Sequence, residues 1–266
     1  MLGMSSTPFF SIITINYNNK DGLKKTIESV AAQTFLDYEH IIVDGGSTDG
    51  SVAVIEEAMK DKDYAARVPY CRSEKDGGIY QAMNKGVELA KGQYCLMLNS
   101  GDYLASPKSL ERAAAFGFTE DIVYCDAYFA MKGRRRLIRY PNKITGWFFF
   151  LRGFCHQTTF IKTSLQKKNL YSTEYRIVSD SDFFMKVLLL QNASARHLPF
   201  ALSVYEAEAG LSSSSGGHDK EYAALIDKYY PKRVQEDMLY CLKKKRGLLL
   251  FLRKVKKILR RVLKFL

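Results

Sequence analysis

Several features that would settle a function at once are missing from this sequence. The five cysteines (Cys71, Cys95, Cys125, Cys155, Cys241) are widely spaced, and no pair has CxxC or zinc-ligand spacing. An odd number of them in a chain of 266 residues predicts reduced thiols in a cytosolic setting, not a disulfide framework. No apolar run approaches the ~20 residues that cross a bilayer. The N-terminus lacks the basic-then-apolar layout of a signal peptide. GxGxxG is absent after the first strand-like run, which argues against a dinucleotide-dependent oxidoreductase. "NYNNKDG", which stands there instead, also lacks the glycine-rich basic phosphate loop expected of a nucleotidyltransferase. No Ser/His/Asp or Cys/His set points to a protein nucleophile. Acidic residues are missing from the C-terminal tail. Of the 40 Lys and Arg, 11 lie between Lys243 and Leu266, where no Asp or Glu occurs. The other 29 face 28 acidic residues, so the net charge of +12 reads as a property of one tail on a nearly neutral body.

What is present is an alternation of strand and helix signals. "FFSIITINYN", "EHIIVD", "VPYCRS" and "QYCLMLN" read as strands. "GLKKTIESVAAQTF", "SVAVIEEAMK" and "IYQAMNKGVELA" carry apolar residues at helical spacing, the last with Gly92 at its C-terminal end. Strands separated by helices of this length predict crossover connections and a parallel sheet. Ligands of such sheets sit beyond the carboxyl ends of the strands, where Asn16, Asp44, the Ser73-to-Asp76 run and Asp102 fall. After residue 105 the alternation loosens. "DIVYCDAYFAMKGRRRLIRY" reads as two strands turning at Lys132-Gly133, "SDSDFFMKVLLLQN" as a helix opened by Asp, and "GLSSSSGGHD" as a polar loop.

Three stretches concentrate chemistry. In "IIVDGGSTDGS", Asp44 ends a strand and two glycines turn the chain. It is either an Asx turn with a helix cap or a carboxylate set against a base or ribose. "SEKDGGIYQAMNKG" is either a turn into a helix or a second charged strand end bearing Asp76. In "YCLMLNSGDYL", an apolar strand delivers Asp102 into a tight turn. One carboxylate is a weak metal signal alone, but suffices for Mg²⁺ or Mn²⁺ if a nucleoside diphosphate and water bring the other oxygens.

These stretches, in this order and with "TINYN" before them, resemble the inverting family-2 glycosyltransferases of GT-A fold over residues 9 to 105. The likeness is greatest to those building bacterial capsule, exopolysaccharide and O-antigen chains. The resemblance implies an α/β fold: a Rossmann-like, mostly parallel central sheet flanked by helices. Residues 1–105 would form the nucleotide-sugar half, 106–242 the acceptor half of the same domain, and 243–266 a basic amphipathic tail. By resemblance Thr14, Asn16, Tyr17, Asp44, Asp76, Ser100 and Gly101 take nucleotide-binding positions, and Asp102 the metal-binding one. Asn99 and Gly101 replace acids of the usual metal motif. "GFCHQTTF" resembles the segment lining the sugar and acceptor pocket, with His156 and Gln157 as its polar members. "VSDSDFFMKV" resembles the helix that carries the catalytic base, giving Asp180 that position and Asp182 as the fallback. An N-cap is the structural alternative for either. His218, in the polar loop, is a candidate for the diphosphate or metal.

The implied activity is inverting transfer of a hexosyl or N-acetylhexosaminyl group from a nucleoside diphosphate sugar, UDP preferred. It would go to a hydroxyl of a lipid-linked or glycan acceptor, with Mn²⁺ or Mg²⁺. In the tail, Leu248, Leu252, Val255, Leu259 and Val262 form one helical stripe, with most Lys and Arg outside it. That pattern fits an anionic membrane surface better than nucleic acid, which needs no apolar stripe; a helix docking its apolar face on the body is the structural alternative. The expected location is cytoplasmic and peripheral, on the inner face of the cell membrane. A nucleotidyltransferase, or a binding module without catalysis, are the other readings.

Overall fold

Strand β1 (Phe10–Asn16) is buried along its whole length and sets the layering. Successive strand side chains point to opposite faces. Ile13 and Ile15 therefore join one apolar cluster, while Phe10 and Ile12 join another on the far side. The molecule is described here by a computed structural model covering residues 7–206 and 217–245.

Parallel to β1 run β2 (Tyr38–Asp44) and β4 (Tyr94–Met97), and β3 (Tyr70–Ser73) adds beyond β2. Helices α1 (Lys20–Ala31), α2 (Ser51–Ala58), the short α3 (Lys62–Ala65) and α4 (Ile79–Leu89) connect them. The sheet continues through β5 (Tyr103–Leu104), β6 (Ile122–Met131), β8 (Thr159–Lys162) and β9 (Ala195–Glu206), in the spatial order β3-β2-β1-β4-β8-β6-β9-β5. β8 is antiparallel to β4 and β6, whereas β9 is parallel to β6. β7 (Arg134–Ile138) forms a hairpin with β6. Its turn, Lys132-Gly133, has positive φ at both residues (51° and 70°), as a two-residue type I′ hairpin turn requires. The two halves read from the sequence thus share one sheet, which is the α/β architecture expected.

Helices α1, α2 and α5 (Ser109–Ala114) cover one face through Leu23, Ile27, Val30, Ile55 and Leu110. The other face carries α4, α6 (Gly146–Leu151) and α8 (Ser179–Met185), through Met83, Val87, Phe149, Phe183 and Phe184. α7 (Thr163–Lys168) follows β8, and α8 runs into a π-helical turn at Lys186–Leu190. α9 (Gly217–Tyr229) and a helical segment at 232–245 complete the described residues.

Three local expectations are revised. Gly92 is not a left-handed helix cap: α4 ends at Leu89, and Gly92 has no positive φ. A Cβ there would lie 2.6 Å from Ser11 N, so its glycine serves close backbone packing. His218 is not in a loop but in the first turn of α9. Neither Asp180 nor Asp182 is an N-cap, since Val178 holds that place in α8 without a side-chain bond. Most of the amphipathic tail, 246–266, lies outside the described residues, as do residues 210–216 of the polar loop.

Gly86 marks where α4 meets the sheet. A Cβ there would sit 2.3 Å from Ile13 Cγ2, a branched side chain fixed in a buried strand. Overpacking of this kind costs about 1–3 kcal/mol. Gly86→Ala should lower the urea midpoint accordingly, despite alanine's better helix propensity; an unchanged or higher midpoint would show that α4 can slide.

Candidate active site

The site begins with register. Asn16, Asp44 and Ser73 are paired residues at the carboxyl ends of β1, β2 and β3. Their side chains meet there: Asn16 Nδ2 donates to Asp44 Oδ1 at 2.6 Å, and the Ser73 hydroxyl donates to Oδ2. Ser47 adds its backbone N–H and its hydroxyl. Burial would push the Asp44 carboxyl up, but the donations from Ser47, Ser73 and Asn16 outweigh it and hold the group below the usual carboxylate range. Asp44 is fully enclosed and does not line the cleft. Thr14 is also fully buried, its hydroxyl donating to Leu98 O at 2.8 Å and lying 2.9 Å from His40 Nε2. Both residues, placed by resemblance among nucleotide contacts, lie enclosed at the strand ends behind the cleft.

The cleft itself, about 1650 Å³, opens over these strand ends. Asn16, Tyr17, Asp76, Ser100, Asp102, His156, Gln157, Asp180 and His218 all line it, so the structure gathers most residues singled out in the sequence. Gly101 does not line it; its φ of 103° makes the turn that presents Asp102. Tyr17 is 67% exposed, an unpaired aromatic ring at the rim. Asp76 packs over Gly45, where a Cβ would come within 2.8 Å of its Oδ2, and Asp76 Oδ1 accepts from Gly78 N–H. Asn84 and Lys85 point elsewhere: Asn84 bonds the backbone of Tyr171, and Lys85 pairs with Glu74.

Asp102 sits at the end of the 99–102 turn, where its N–H donates to Asn99 O. One residue the sequence did not flag secures that turn. Thr26, buried on α1, accepts from Gly101 N–H and donates to Asp102 O at 2.7 Å. In sequence it looks like one more polar position of an amphipathic helix. Asp102 Oδ2 accepts from Gln157 Nε2 at 2.9 Å, and Oδ1 from the Glu206 N–H at 3.0 Å. Only 5% exposed, the carboxyl is pushed up by burial to about 6, against the pull of these two donors.

The opposite wall carries Asp180 in the first turn of α8. Its Oδ2 lies 3.1 Å from His156 Nδ1, and its Oδ1 accepts from Ser181 N–H. His156 Nε2 in turn lies 3.1 Å from Asn99 Nδ2. His156 thus bridges the acid of α8 to the turn that bears Asp102. Tyr80 fixes the start of α8, donating to Ile177 O and accepting from Ser179 N–H. Glu221 of α9 accepts from three successive N–H groups, those of Arg176, Ile177 and Val178. Asp182 faces away from the cleft and takes Lys228 Nζ at 2.7 Å and Tyr229 OH at 2.9 Å. It anchors α9. His218 stacks on Tyr222, with ring centroids 5.7 Å apart, at the cleft edge.

Among the described residues no three His, Cys, Asp or Glu side chains converge to hold a metal. The cleft still fits a hard cation in one way. Asp102 is a buried carboxylate with no ion-pair partner among the described residues and with lone pairs left after its two hydrogen bonds. It would bind an ion whose remaining oxygens come from a diphosphate and water.

A strand-end cleft in an α/β sheet, with one carboxylate on the strand side and another on a facing helix, places the chain in a class. Residues 11–186 match the family described as "Glycosyl transferase family 2", and the chain belongs to that family: it is a glycosyltransferase. It is 31% identical over 239 residues to a PGL/p-HBAD biosynthesis glycosyltransferase of Mycobacterium tuberculosis, covering 86% of this chain and 85% of that one. Among solved structures it is similar in fold to residues 1–349 of S. aureus TarS in complex with UDP-GlcNAc (TM-score 0.66, 22% identity, 86% of this chain and 69% of that one). The mannosyltransferase PcManGT of Pyrobaculum calidifontis, in complex with GDP-Man and Mn²⁺, is a second such structure (TM-score 0.59, 15% identity, 81% and 60%).

The raised Asp102 has a stability signature in the metal-free protein. Because its folded value lies above the unfolded one, its contribution is fully present below about pH 4 and lost as pH rises through about 6. Asp102→Asn should match the parent at pH 4 and exceed it by about 1–3 kcal/mol at pH 7.5. Urea unfolding at both values measures this; no divergence between them would mean the carboxyl is solvated.

Proposed function

We propose that this glycosyltransferase inverts the anomeric carbon of a sugar carried on a nucleoside diphosphate, with UDP the preferred nucleotide. The acceptor would be a hydroxyl of a lipid-linked or glycan molecule in cell-surface glycan biosynthesis, on the cytoplasmic side of the membrane. The observation that carries this reading is the His156 bridge. It holds Asp180, from the acceptor half, across one cleft from the Asn99-to-Asp102 turn of the donor half.

In this reading residues 1–105 bind the donor. Tyr17 offers a ring for the base, and Asn16, Asp76 and Ser100 offer polar contacts. Asp44 and Thr14 act from behind by fixing the strand ends. A divalent ion, Mn²⁺ or Mg²⁺, held on Asp102 would neutralise charge on the departing diphosphate. Gln157 and the Glu206 N–H keep the Asp102 carboxylate aimed. His218, on the far rim, would meet the diphosphate. Asp180 takes the proton from the acceptor hydroxyl as that oxygen attacks, and one in-line displacement inverts the carbon. His156 Nδ1, 3.1 Å from Asp180 Oδ2, holds that oxygen in place. Residues 106–242 supply this acceptor wall, and 243–266 attach the protein to anionic lipid. The PcManGT complex with Mn²⁺ and the TarS complex with UDP-GlcNAc support the metal and the donor class. Among the described residues no helix is long and apolar enough to cross a membrane, which suits peripheral attachment.

A thermal-shift panel of UDP, GDP, dTDP and CDP, each with and without Mn²⁺, identifies the nucleotide. A ligand that binds only the native state raises its melting temperature. Asp102→Ala should abolish the Mn²⁺-dependent part of the shift. Asp180→Asn should keep the shift and lower transfer by about 100-fold or more. If Asp182→Asn stops transfer while Asp180→Asn does not, the base lies two residues further along α8.

A further inference from the structure

The near neutrality of the body hides a second basic cluster. Between Asp126 and Glu174 there is no acidic residue, and residues 127–153 alone hold seven Lys or Arg. Much of this charge lies on the β6–β7 hairpin, where residues 131–136 are exposed. Arg135 turns to one face of the hairpin and donates to Tyr103 OH. Alternation sends Arg134 and Arg136 to the other face, with Ile138, which packs against the cluster containing α6. Neither arginine is paired with a carboxylate among the described residues. Directly across the ladder stand Met131, opposite Arg134, and Phe129, opposite Arg136. Met131 is 49% exposed at the hairpin tip.

This face runs on into α6. Arg152, just past α6, donates to Arg139 O and lies over the Tyr140 and Phe148 rings. Leu151 is 48% exposed, and Trp147 and Phe150 are half-buried and stacked on each other. Phe150 packs edge-on to Tyr230, which leads into the helical segment ending at Lys243-Lys244-Lys245. An aromatic and aliphatic strip thus lies beside the arginine-bearing hairpin. It also borders the cleft, because Leu151 and Arg152 line the mouth and Phe129 packs on Tyr205, another lining residue.

We propose that this face of the body, from the β6–β7 hairpin tip through α6, docks directly on an anionic phospholipid bilayer and so sets the acceptor mouth of the cleft at headgroup level. The inference rests on the reading that the acceptor is carried by the membrane. Unpaired arginines interleaved with exposed Met and Leu and half-buried Trp and Phe match an interface of phosphate headgroups over hydrocarbon. A soluble acidic polymer would use the charge and leave the apolar side chains without a partner.

The test is the partition coefficient of the full chain onto vesicles of phosphatidylcholine alone and of phosphatidylcholine with phosphatidylglycerol. Arg134→Ala/Arg136→Ala should lower partitioning onto the anionic vesicles by about 30-fold, at roughly 1 kcal/mol per basic side chain. Met131→Ser should lower it further and reduce the part that survives high salt. Neither should change the UDP-induced thermal shift, which separates docking from donor binding. In a chain lacking 243–266, weaker binding that still depends on Arg134 and Arg136 supports the proposal. Arginine variants that partition like the parent, with the deletion alone abolishing binding, would overturn it and leave the tail reading intact. Failure of the parent to bind anionic vesicles would overturn both. Normal partitioning combined with lost transfer to a soluble acidic acceptor would reassign the arginines to that acceptor and also overturn docking.

Discussion

The burial of Asp102 is the constraint around which the rest is arranged. A carboxylate removed from water resists ionisation unless donors or a cation compensate. Here two donors do part of that work, and each comes from a different segment of the chain. Gln157 belongs to the turn before β8, and the Glu206 N–H to the end of β9. Thr26 reaches from α1 to hold the same turn from below. Three separated stretches of sequence therefore close on the turn that bears Asp102, two of them on its side chain, and the cleft takes its shape from that convergence. The residual cost is why the group remains shifted to about 6 and why a bound cation suits it.

Environment, not residue type, divides labour among the acids. Asp44 is enclosed by four donations and tied into the sheet ends. Asp102 is buried and under-compensated. Asp180 keeps an edge on the cleft and is held by His156. Asp182, two residues later, turns outward into an ion pair with Lys228 that docks α9. Two positions along a helix differ in direction by about 200°, enough to send one acid to the cleft and the other to packing. α9 in turn caps the segment before α8 through Glu221, so the helix bearing Asp180 is held both ahead of its first turn and at Asp182.

Charge is organised in the same way. A net value near zero for the body averages over an acidic-free stretch from 127 to 173. Folding places part of that stretch on one hairpin face and joins it to the aromatic α6. The average gave no sign of this because alternation along β7, and the contact of Arg135 with Tyr103, decide which arginines point outward.

The sequence by itself determined the strand-helix alternation, the parallel edge of the sheet, the hairpin at Lys132-Gly133 and the acids at strand ends. These depend on local periodicity and turn chemistry, which neighbouring residues dictate. It also carried the motifs by which Asp102, His156, Gln157 and Asp180 could be named before any geometry was known. Tertiary structure alone decided which of them face the cleft. Thr14 and Asp44 carry the same polar groups as true lining residues, but register between strands buries them. Thr26 looks like solvated helix surface until α1 is laid against the 99–102 turn. His218 reads as loop until α9 forms around it. Each of these depends on which distant segment packs alongside, and contacts between distant segments leave no periodic trace in the chain.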